Sequence, residues 1–338
     1  MGNLSLSDLE TLASSTEGVA TRLTLIAADP NAEVQVHAKE KKTENTNDFI
    51  VKYRGKNYDI KNLMKKHPGG SKILKPYKGL NIDEAMVTNS HSVAAFHLFE
   101  EFVQDHQEDG MKALFHHRKL VDWNAPLLSQ VGSLGDRYWE WVNLPVNRPI
   151  RLFASNTVES FTVTPWYMVP VIWEMLVFDS IPQILIALSW GFLLWTLLEY
   201  TLHRKLFHMK PPSQSKILIT MHFLLHGLHH KAPFDGQRLV FPPIPAMILG
   251  ITLYTLMYIS PTLFFSRNIP GYLCYDMTHY YLHYGSPKAE TYMYVMKRYH
   301  NYHHFSHHEE GFGISSKLWD YVFGTMITLR NLKKAIEW

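Results

Sequence analysis

The stretch His300-Asn301-Tyr302-His303-His304 is the most informative part of this sequence. Its H-x-x-H-H spacing also occurs in His226-Gly227-Leu228-His229-His230. Each of these boxes is preceded by a histidine pair, His203-x4-His208 before the first and His279-x3-His283 before the second. On an α-helix, positions i, i+3 and i+4 lie on one face, so most of these boxes direct two or three imidazoles the same way. The spacing therefore predicts helices that converge on a shared site.

The number of boxed histidines predicts a pair of metal ions. Neutral imidazole is the commonest metal ligand, and ten converging rings exceed what one ion coordinates. We therefore expect two ions with about five histidines each. A single histidine pair is usually structural, but four boxes beside apolar segments favour a catalytic dimetal centre. The predicted ligands are His203, His208, His226, His229, His230, His279, His283, His300, His303 and His304.

The other histidines are expected to play lesser parts. His222 lies one turn before His226 and is expected to pack beside the site. His307 and His308 precede Glu309, Glu310 and Gly311, a sequence typical of a solvated turn. His97 is expected on the surface or beside a haem.

Composition limits the classes of function. The 338 residues leave room for two modules. A net charge of +3 without a basic tract argues against a nucleic-acid partner. Cys274 is the only cysteine, which excludes an internal disulfide and a cysteine-based zinc site. Residues 1–47 are polar and lack the apolar core of a signal peptide, so a flexible leader is expected.

Apolar runs predict four membrane crossings. Ser180 to Leu198 is uncharged for 19 residues, enough to cross a hydrocarbon core of about 30 Å. Ser160 to Phe178 forms an earlier crossing that tolerates Glu174. Leu239 to Ser266 is too long for one crossing and is broken by prolines, so the fourth crossing is expected to continue through Ile269 to Tyr281. The alternative is a soluble protein with buried helices.

This topology places the histidine boxes together. An even number of crossings precedes each box, so all the boxes lie on one side of the membrane. Basic residues flank them, and the positive-inside rule assigns such loops to the cytosol. We expect a cytosolic, histidine-rich helical cap and cytosolic termini. The flanking basic residues are Arg204, Lys205, Lys210, Lys231, Arg238, Lys297 and Arg298.

A separate module is predicted for residues 48–122. It opens on the strand-like stretch Phe49–Tyr53 and carries His67-Pro68-Gly69-Gly70, with His91 24 residues after His67. The Pro-Gly-Gly turn fixes the backbone beside one histidine, and the other can close on a haem from the opposite side. Two axial imidazoles suit electron transfer, because no position is left for oxygen. The module resembles the cytochrome b5 haem-binding domain, which implies haem b with His67 and His91 as axial ligands.

The predicted organisation is multi-domain. A leader (1–47) precedes a small α+β cytochrome b5-like domain (48–122), a linker (123–160) and an all-α integral membrane domain of about four transmembrane helices (161–338). The linker is rich in aromatic residues and proline. Such a composition is typical of segments on a membrane surface, and interdomain packing explains it equally well.

The membrane module resembles the fatty acid hydroxylase superfamily, and its fusion to a haem domain in this order resembles the fatty acid 2-hydroxylases. The resemblance runs from about residue 48 to residue 338. It implies that the ten boxed histidines are metal ligands. It also implies 2-hydroxylation of long fatty acyl chains destined for sphingolipids and ceramides, at the endoplasmic reticulum membrane. Beyond the boxes it rests on Asp122-Trp123 with Pro126, Asp235 with Arg238-Leu239-Val240-Phe241-Pro242-Pro243, Gly311-Phe312-Gly313, Trp319-Asp320 and Phe323-Gly324-Thr325.

The chemistry of hydroxylation sets the expected cofactors and partners. Replacing an aliphatic C–H by C–OH requires O2, two electrons and a redox-active metal. Iron is therefore expected, because zinc has no redox chemistry, although the resemblance also allows zinc. The sequence has no G-x-G-x-x-G fingerprint. NADPH or NADH electrons are thus expected through a separate reductase, a flavoprotein of the cytochrome b5 reductase type.

Two alternatives remain open. One is a haem-fused acyl-lipid or sphingolipid desaturase. Many fused desaturases have glutamine at the position of His300, whereas this chain has histidine. The other is a non-catalytic membrane metal carrier or electron carrier. A carrier is expected to place polar ligands within its crossings, whereas these boxes lie at the ends of the apolar runs.

Overall fold

The computed structural model describes residues 48–89, 91–104, 120–174, 193–257, 261–332 and 334–338. They form a small N-terminal module (48–104) and a helical module (120–338). The predicted leader and most of the predicted second crossing, residues 175–192, lie outside the described residues. Within the residues that are described, no helix has both the length and the apolar character that a membrane crossing requires.

A β-hairpin opens the N-terminal module; its first strand lies in the predicted stretch Phe49–Tyr53, and its second strand was not predicted. Its turn residues Arg54 and Gly55 have φ of 46° and 74°. Two successive positive φ values give a two-residue turn whose twist matches that of the flanking strands. The elements are β1 (Ile50–Tyr53) antiparallel to β2 (Lys56–Asp59), a 3-10 turn (Lys75–Tyr77), α1 (Asp83–Thr88), α2 (Val93–Phe99) and a 3-10 turn (Glu100–Phe102).

Aromatic side chains fill the core of the N-terminal module. The ring of Tyr58 stacks on Phe99 with centroids 4.3 Å apart, and its hydroxyl donates to Glu100 at 3.0 Å. Burial in this core stabilises the module, because apolar area is removed from water. One member of the cluster, Phe305, comes from the helical module.

In the described part of the helical module, the longer helices lie between residues 243 and 305, and a short helix follows them. Residues 193–202 are also helical. The named helices are α3 (Leu128–Val131), α4 (Tyr138–Val142), α5 (Asn156–Ser160), α6 (Met168–Glu174), α7 (Lys216–His222), α8 (Leu228–Lys231), α9 (Pro243–Met257), α10 (Pro261–Tyr284), α11 (Tyr292–Phe305) and α12 (Leu318–Val322), with π-helical turns at His203–Phe207 and Phe223–Gly227 and a 3-10 stretch at Gly132–Arg137.

The segment predicted as a linker packs tightly on the helices that carry the first histidine box. Trp141 of α4 is fully buried and lies against Phe223, with ring centroids 5.8 Å apart. Val131 and Ile219 belong to the same apolar cluster. Of the two roles considered for this segment, the contacts favour packing between domains, because Arg148 of the segment also donates to Glu101 of the N-terminal module at 2.8 Å. The segment thus supports the helices that carry the first histidine box.

In the long uncharged run after residue 239, the structure describes α9 as far as Met257 and α10 from Pro261 onward. Gly285 ends α10, and its N–H donates to Tyr281 O at 2.7 Å.

Candidate metal centre and haem site

The structure brings all ten boxed histidines together as two groups of five. Within each group the ligand nitrogens all lie within 4.8 Å of one another. Nine of the ten side chains are buried. The predicted count of two sites with five histidines each matches this geometry. The first group is His203, His208, His226, His230 and His303; the second group is His229, His279, His283, His300 and His304.

The spacing of the nitrogens fits ligands around one ion. In the first group, Nε2 of His226 lies 3.0 Å from Nε2 of His203 and 3.1 Å from that of His230. In the second group, Nε2 of His300 lies 2.8 Å from that of His283 and 3.1 Å from that of His304. Adjacent nitrogens at right angles on an ion, with bonds of about 2.0–2.1 Å, lie roughly 3 Å apart. Both groups therefore fit a metal ion.

Each H-x-x-H-H box divides its histidines between the two groups. Positions i and i+4 of a helix lie nearly above one another, whereas i+3 is rotated to the side. His226 and His230 accordingly belong to the first group, and His229 to the second. In the other box the assignment is reversed, so that only His303 crosses to the first group. His229 and His303 thus join the two halves of the site.

A π-helical turn explains the five-residue spacing of His203 and His208. The backbone N–H of His208 donates to His203 O at 3.0 Å, which is the i to i+5 pattern of a π-turn. This wider turn brings the two rings to a centroid distance of 4.8 Å. An ordinary α-helix rotates position i+5 away from position i, so this spacing requires the π-turn.

Backbone carbonyls orient the rings of the first group. Nδ1 of His203 donates to Phe312 O at 2.6 Å, and Nδ1 of His303 donates to Glu310 O at 2.7 Å. Each bond places the ring proton on Nδ1 and leaves the Nε2 lone pair toward the group. Burial lowers the pKa of His203 to about 4, so its ring is neutral near pH 7 and free to bind a metal.

Two buried carboxylates shape the loop that supplies these carbonyls. Asp320 accepts the N–H groups of Phe312 (2.9 Å) and Gly313 (2.8 Å). Glu199 accepts from Ile314 N (2.6 Å) and from the N–H (2.8 Å) and hydroxyl (2.6 Å) of Ser315. The loop therefore cannot move without leaving buried donors or acceptors unpaired. This explains the Gly-Phe-Gly and Trp-Asp motifs singled out in the sequence.

Three of the basic residues used to orient the protein are buried within the fold. Lys231 donates to Trp141 O (2.8 Å) and Leu144 O (2.6 Å). Lys297 donates to Leu282 O (2.8 Å) and His283 O (3.0 Å), and Arg238 pairs with Glu159. All three cations were expected in the loops that flank the histidine boxes. The two lysines tie the histidine boxes to neighbouring backbone, and Arg238 binds Glu159 and Thr162. The excess of basic residues in the flanking loops therefore depends on Arg204, Lys205, Lys210 and Arg298.

His67 and His91 face each other in the N-terminal module. Their ring centroids lie 6.3 Å apart, and two metal–nitrogen bonds of about 2 Å each fit between them. Nδ1 of His91 donates to Met86 O at 3.1 Å, which leaves its Nε2 as the ligand atom. Burial and the neighbouring His91 lower the pKa of His67 to about 4. The pair thus has the geometry that axial haem ligands need, and His67 is neutral near pH 7.

The other histidines differ in their surroundings. His222 lies outside both groups and packs beside them, as predicted, with Nδ1 2.5 Å from the hydroxyl of Tyr138. His307 is exposed, as predicted, but His308 is partly buried with its ring 6.4 Å from that of His230. His97 does not lie on the surface, which was one of the two places expected for it. It is 3 % exposed and donates to Pro145 O at 3.0 Å.

Sequence reasoning also missed the roles of Glu199 and Lys297. Glu199 lies just after a predicted crossing, and Lys297 lies one turn before His300. Their positions beside the histidine boxes could have indicated these roles. A charged residue that is buried next to a ligand requires hydrogen-bond or ion-pair partners.

Comparisons with known proteins identify both modules. The family model "Cytochrome b5-like Heme/Steroid binding domain" matches residues 31–121, and the model "Fatty acid hydroxylase" matches residues 188–325. A solved structure of full-length Scs7p, in which only the hydroxylase domain is visible, matches with a TM-score of 0.55 and 34% identity. That match covers 63% of this chain and 88% of the solved chain.

Curated relatives extend the match over most of the chain. The fatty acid 2-hydroxylase of Rattus norvegicus is 42% identical over 330 residues, which covers 80% of this chain and 89% of the relative. A dihydroceramide fatty acyl 2-hydroxylase of Arabidopsis thaliana is 44% identical, covering 62% of this chain and 94% of the relative. The ceramide very long chain fatty acid hydroxylase of Saccharomyces cerevisiae is 29% identical, covering 83% and 91%. The chain therefore belongs to the fatty acid 2-hydroxylase family, as an enzyme with a cytochrome b5-like domain fused to a fatty acid hydroxylase domain.

Proposed function

We propose that this protein catalyses the O2-dependent 2-hydroxylation of long fatty acyl chains destined for sphingolipids and ceramides. The observation that carries the proposal is the pair of five-histidine groups, in the same chain as a facing pair of haem-type histidines. The relatives named above act on fatty acids and on ceramide or dihydroceramide acyl chains, which supports this substrate class.

The ten histidines are the proposed ligands of two metal ions. Iron is the proposed metal, because it supplies the redox chemistry that oxygen activation requires and that zinc lacks. The protein itself supplies neutral imidazoles, which Phe312 O and Glu310 O hold in orientation. It also supplies a rigid loop fixed by Asp320 and Glu199. Together these residues hold the site in one geometry before substrate arrives.

His67 and His91 are the proposed axial ligands of haem b. A separate NAD(P)H-dependent flavoprotein of the cytochrome b5 reductase type is the proposed electron source. The balance of the reaction is one O2, two electrons and two protons per acyl C–H. One oxygen atom enters the new hydroxyl group and the other leaves as water. A haem held by His67 and His91 would supply one electron at a time, so two transfers would be needed for each turnover.

The helical module is proposed to cross the endoplasmic reticulum membrane four times, with the histidines and both termini in the cytosol. Exposed apolar side chains support contact with lipid. Ile244, Ile248 and Ile251 lie on one face of α9 and are 49%, 62% and 50% exposed. Trp166 and Tyr167, before α6, are also exposed, as is common for aromatic residues at a membrane interface.

Lipid analysis of cells that express the protein tests the proposed function. The wild-type protein is expected to raise the content of 2-hydroxy acyl sphingolipids, and His303→Ala is expected to abolish the increase. His307→Ala is the matched control, because His307 is exposed and belongs to neither group. A double bond in the product without a hydroxyl would instead assign the desaturase activity. An unchanged lipid profile would favour a carrier.

A further inference from the structure

Residues 336–338, the C-terminal segment, lie directly on the loop that follows His67. The N–H of Ser71 donates to Glu337 O at 3.0 Å, and Nε1 of Trp338 donates to Pro68 O at 3.2 Å. Gly70 has a φ of +82°, and a Cβ there would lie 2.3 Å from Glu337 O. The backbone of the segment thus covers the Pro-Gly-Gly turn so closely that only glycine fits at position 70.

The other side of the C-terminal segment is anchored on α11. The N–H of Ile336 donates to the hydroxyl of Tyr294 at 2.8 Å. The ring of Trp338 packs on Tyr294 with centroids 5.2 Å apart, and Nζ of Lys297 lies 5.1 Å from the same indole. Helix α11 also carries His300, His303 and His304. The segment therefore connects the His67 loop to a helix that holds three of the ten histidines.

The contacts of Lys297 continue to the second histidine group. Its Nζ donates to Leu282 O and to His283 O, and the residue is 4 % exposed. His283 is a member of the second group. A continuous set of contacts therefore extends from Pro68, beside one haem-type histidine, through Trp338 and Lys297 to the backbone of His283.

A separate contact between the modules ends at the same group. Nζ of Lys66, the residue before His67, donates to Phe234 O at 3.1 Å. The ring of Phe234 packs on that of Phe305 with centroids 6.0 Å apart. Phe305 follows His304 directly and is buried in the core of the N-terminal module. Both sets of contacts therefore fix the His67 loop on the side of the second group.

We propose that the C-terminal segment is a positioning element, which holds the haem-binding loop of His67 beside the second histidine group so that electrons enter the dimetal centre there. This inference rests on the proposed function. Each transfer oxidises the haem by one electron and reduces the metal centre by one, with NAD(P)H as the ultimate donor through the flavoprotein reductase. Trp338 is the key residue, because its indole contacts both the loop and α11.

The C-terminal segment fixes the position of the haem module more closely than the covalent link between the modules does. Fusion already keeps the haem module at a high local concentration. Electron transfer also requires that donor and acceptor stay at a short, fixed separation, and fixed geometry contributes strongly to rate. The exposed ion pair of Lys72 with Glu337 adds little, because both side chains are more than half exposed. The backbone contacts and the indole therefore provide the constraint.

Two measurements on the full-length protein, loaded with haem and metal in lipid nanodiscs, test the proposal. The first is hydrogen exchange of the Ser71 amide. The second is the rate at which reduced haem is reoxidised after mixing with O2 and a long-chain acyl substrate. The variants are Trp338→Ala and Trp338→Phe, which keeps a ring but loses the donor to Pro68. Tyr321→Ala is the control, because Tyr321 is a 77% exposed aromatic residue.

Trp338→Ala is expected to speed exchange at Ser71 by about fivefold, as for the loss of one hydrogen bond. It is expected to slow haem reoxidation by about tenfold, because the loop is no longer held in place. Trp338→Phe should give exchange and reoxidation rates between those of Trp338→Ala and the wild type. Tyr321→Ala should give the wild-type rates. The haem spectrum and the metal content should not change in any variant.

Unchanged haem reoxidation in Trp338→Ala would overturn the proposal, whether or not exchange at Ser71 is faster. Unchanged exchange at Ser71 would also overturn it. The exchange measurement does not depend on turnover. Faster exchange in Trp338→Ala, with no 2-hydroxy product from the wild type, would show that the segment docks as described and that the proposed function has failed.

Discussion

At the scale of the residue, His229 and His303 each lie in a box whose other two histidines belong to the opposite group. His303 lies in the box that mainly serves the second group, yet it belongs to the first. Removing it takes one nitrogen from the first group and leaves four. The second group keeps all five of its own histidines, so the loss of metal should be confined to one site.

His303→Ala is therefore expected to lower the affinity of the first site for metal by at least about tenfold. Removing a residue that only orients a ligand already lowers metal affinity by about this factor. Metal analysis of the purified protein after dialysis measures the effect, with His307→Ala as the control. The variant should retain about one ion per chain where the wild type retains two. A full complement of metal in His303→Ala would contradict the assignment of groups.

The haem assignment makes an independent prediction. His67→Ala and His91→Ala should each abolish the low-spin, bis-imidazole absorption spectrum, because either change leaves the haem with one axial imidazole. The metal content should stay at the wild-type level, since neither residue belongs to a five-histidine group. A wild-type haem spectrum in both variants would show that the axial ligands lie elsewhere.

Buried neutral histidines also predict a pH dependence of stability. The pKa values of His67 and His203 are lowered to about 4, chiefly by burial. The unfolded chain therefore binds protons at a higher pH than the folded chain does. The stabilising contribution is complete above pH 6.5, the ordinary histidine pKa, and is lost as the pH falls toward 4. Unfolding of the metal-free and haem-free protein by denaturant at several pH values measures this, and a flat profile from pH 7 to 4 would contradict it.

At the scale of the element, the loop from Gly311 to Ser316 depends on its two carboxylates. Asp320 is fully buried and accepts from two backbone N–H groups and from the hydroxyl of Thr325. Asp320→Asn places an amide N–H₂ against a buried N–H and leaves that donor without an acceptor. The position of Phe312 O, which orients His203, depends on the same contacts.

We expect Asp320→Asn to lower the free energy of unfolding by about 1–3 kcal/mol, the usual penalty for an unsatisfied buried group. Metal affinity should fall as well, because His203 loses its oriented partner. Denaturant unfolding and metal analysis measure the two effects, and Asp136→Asn on the surface is the matched control. Equal stability of the two variants would show that the loop does not need the carboxylate.

The element scale also shows where sequence reasoning succeeds and where it ends. Spacing identified the ten histidines, the number of sites and the facing pair His67 and His91, because these depend on local geometry and on simple counting. Spacing alone did not reveal the π-turn between His203 and His208, since the register of a single turn depends on tertiary packing. To predict that His229 and His303 belong to opposite groups, one must know how two helices are placed relative to each other. The spacing within one box does not specify this.

Buried charges were the least predictable part of the fold. Lys231, Lys297 and Arg238 were expected in flanking loops, because most lysines and arginines are solvated. Each instead meets acceptors contributed by distant segments, for example Trp141 O for Lys231. No local pattern encodes such long-range pairing. The same is true of His97, which is buried because the segment near Pro145 covers it.

At the scale of the whole molecule, the proposed membrane topology has a direct test. A glycosylation acceptor inserted beside the exposed Gln214 should remain unmodified in sealed microsomes, because the histidine cap is proposed to face the cytosol. An acceptor in a longer insert near residue 179, between the first two proposed crossings, should be glycosylated. Modification at position 214 would contradict the four-crossing arrangement.

The central claim is that the chain uses O2 to place a hydroxyl group on carbon 2 of a long acyl chain. Incubating the protein, a cytochrome b5 reductase, NADPH and a long-chain acyl substrate under ¹⁸O₂, followed by mass spectrometry of the lipid, tests it most directly. The account predicts one ¹⁸O atom in a hydroxyl group at carbon 2, and no product from His303→Ala. Oxygen derived from water, or a double bond in place of the hydroxyl group, would contradict it.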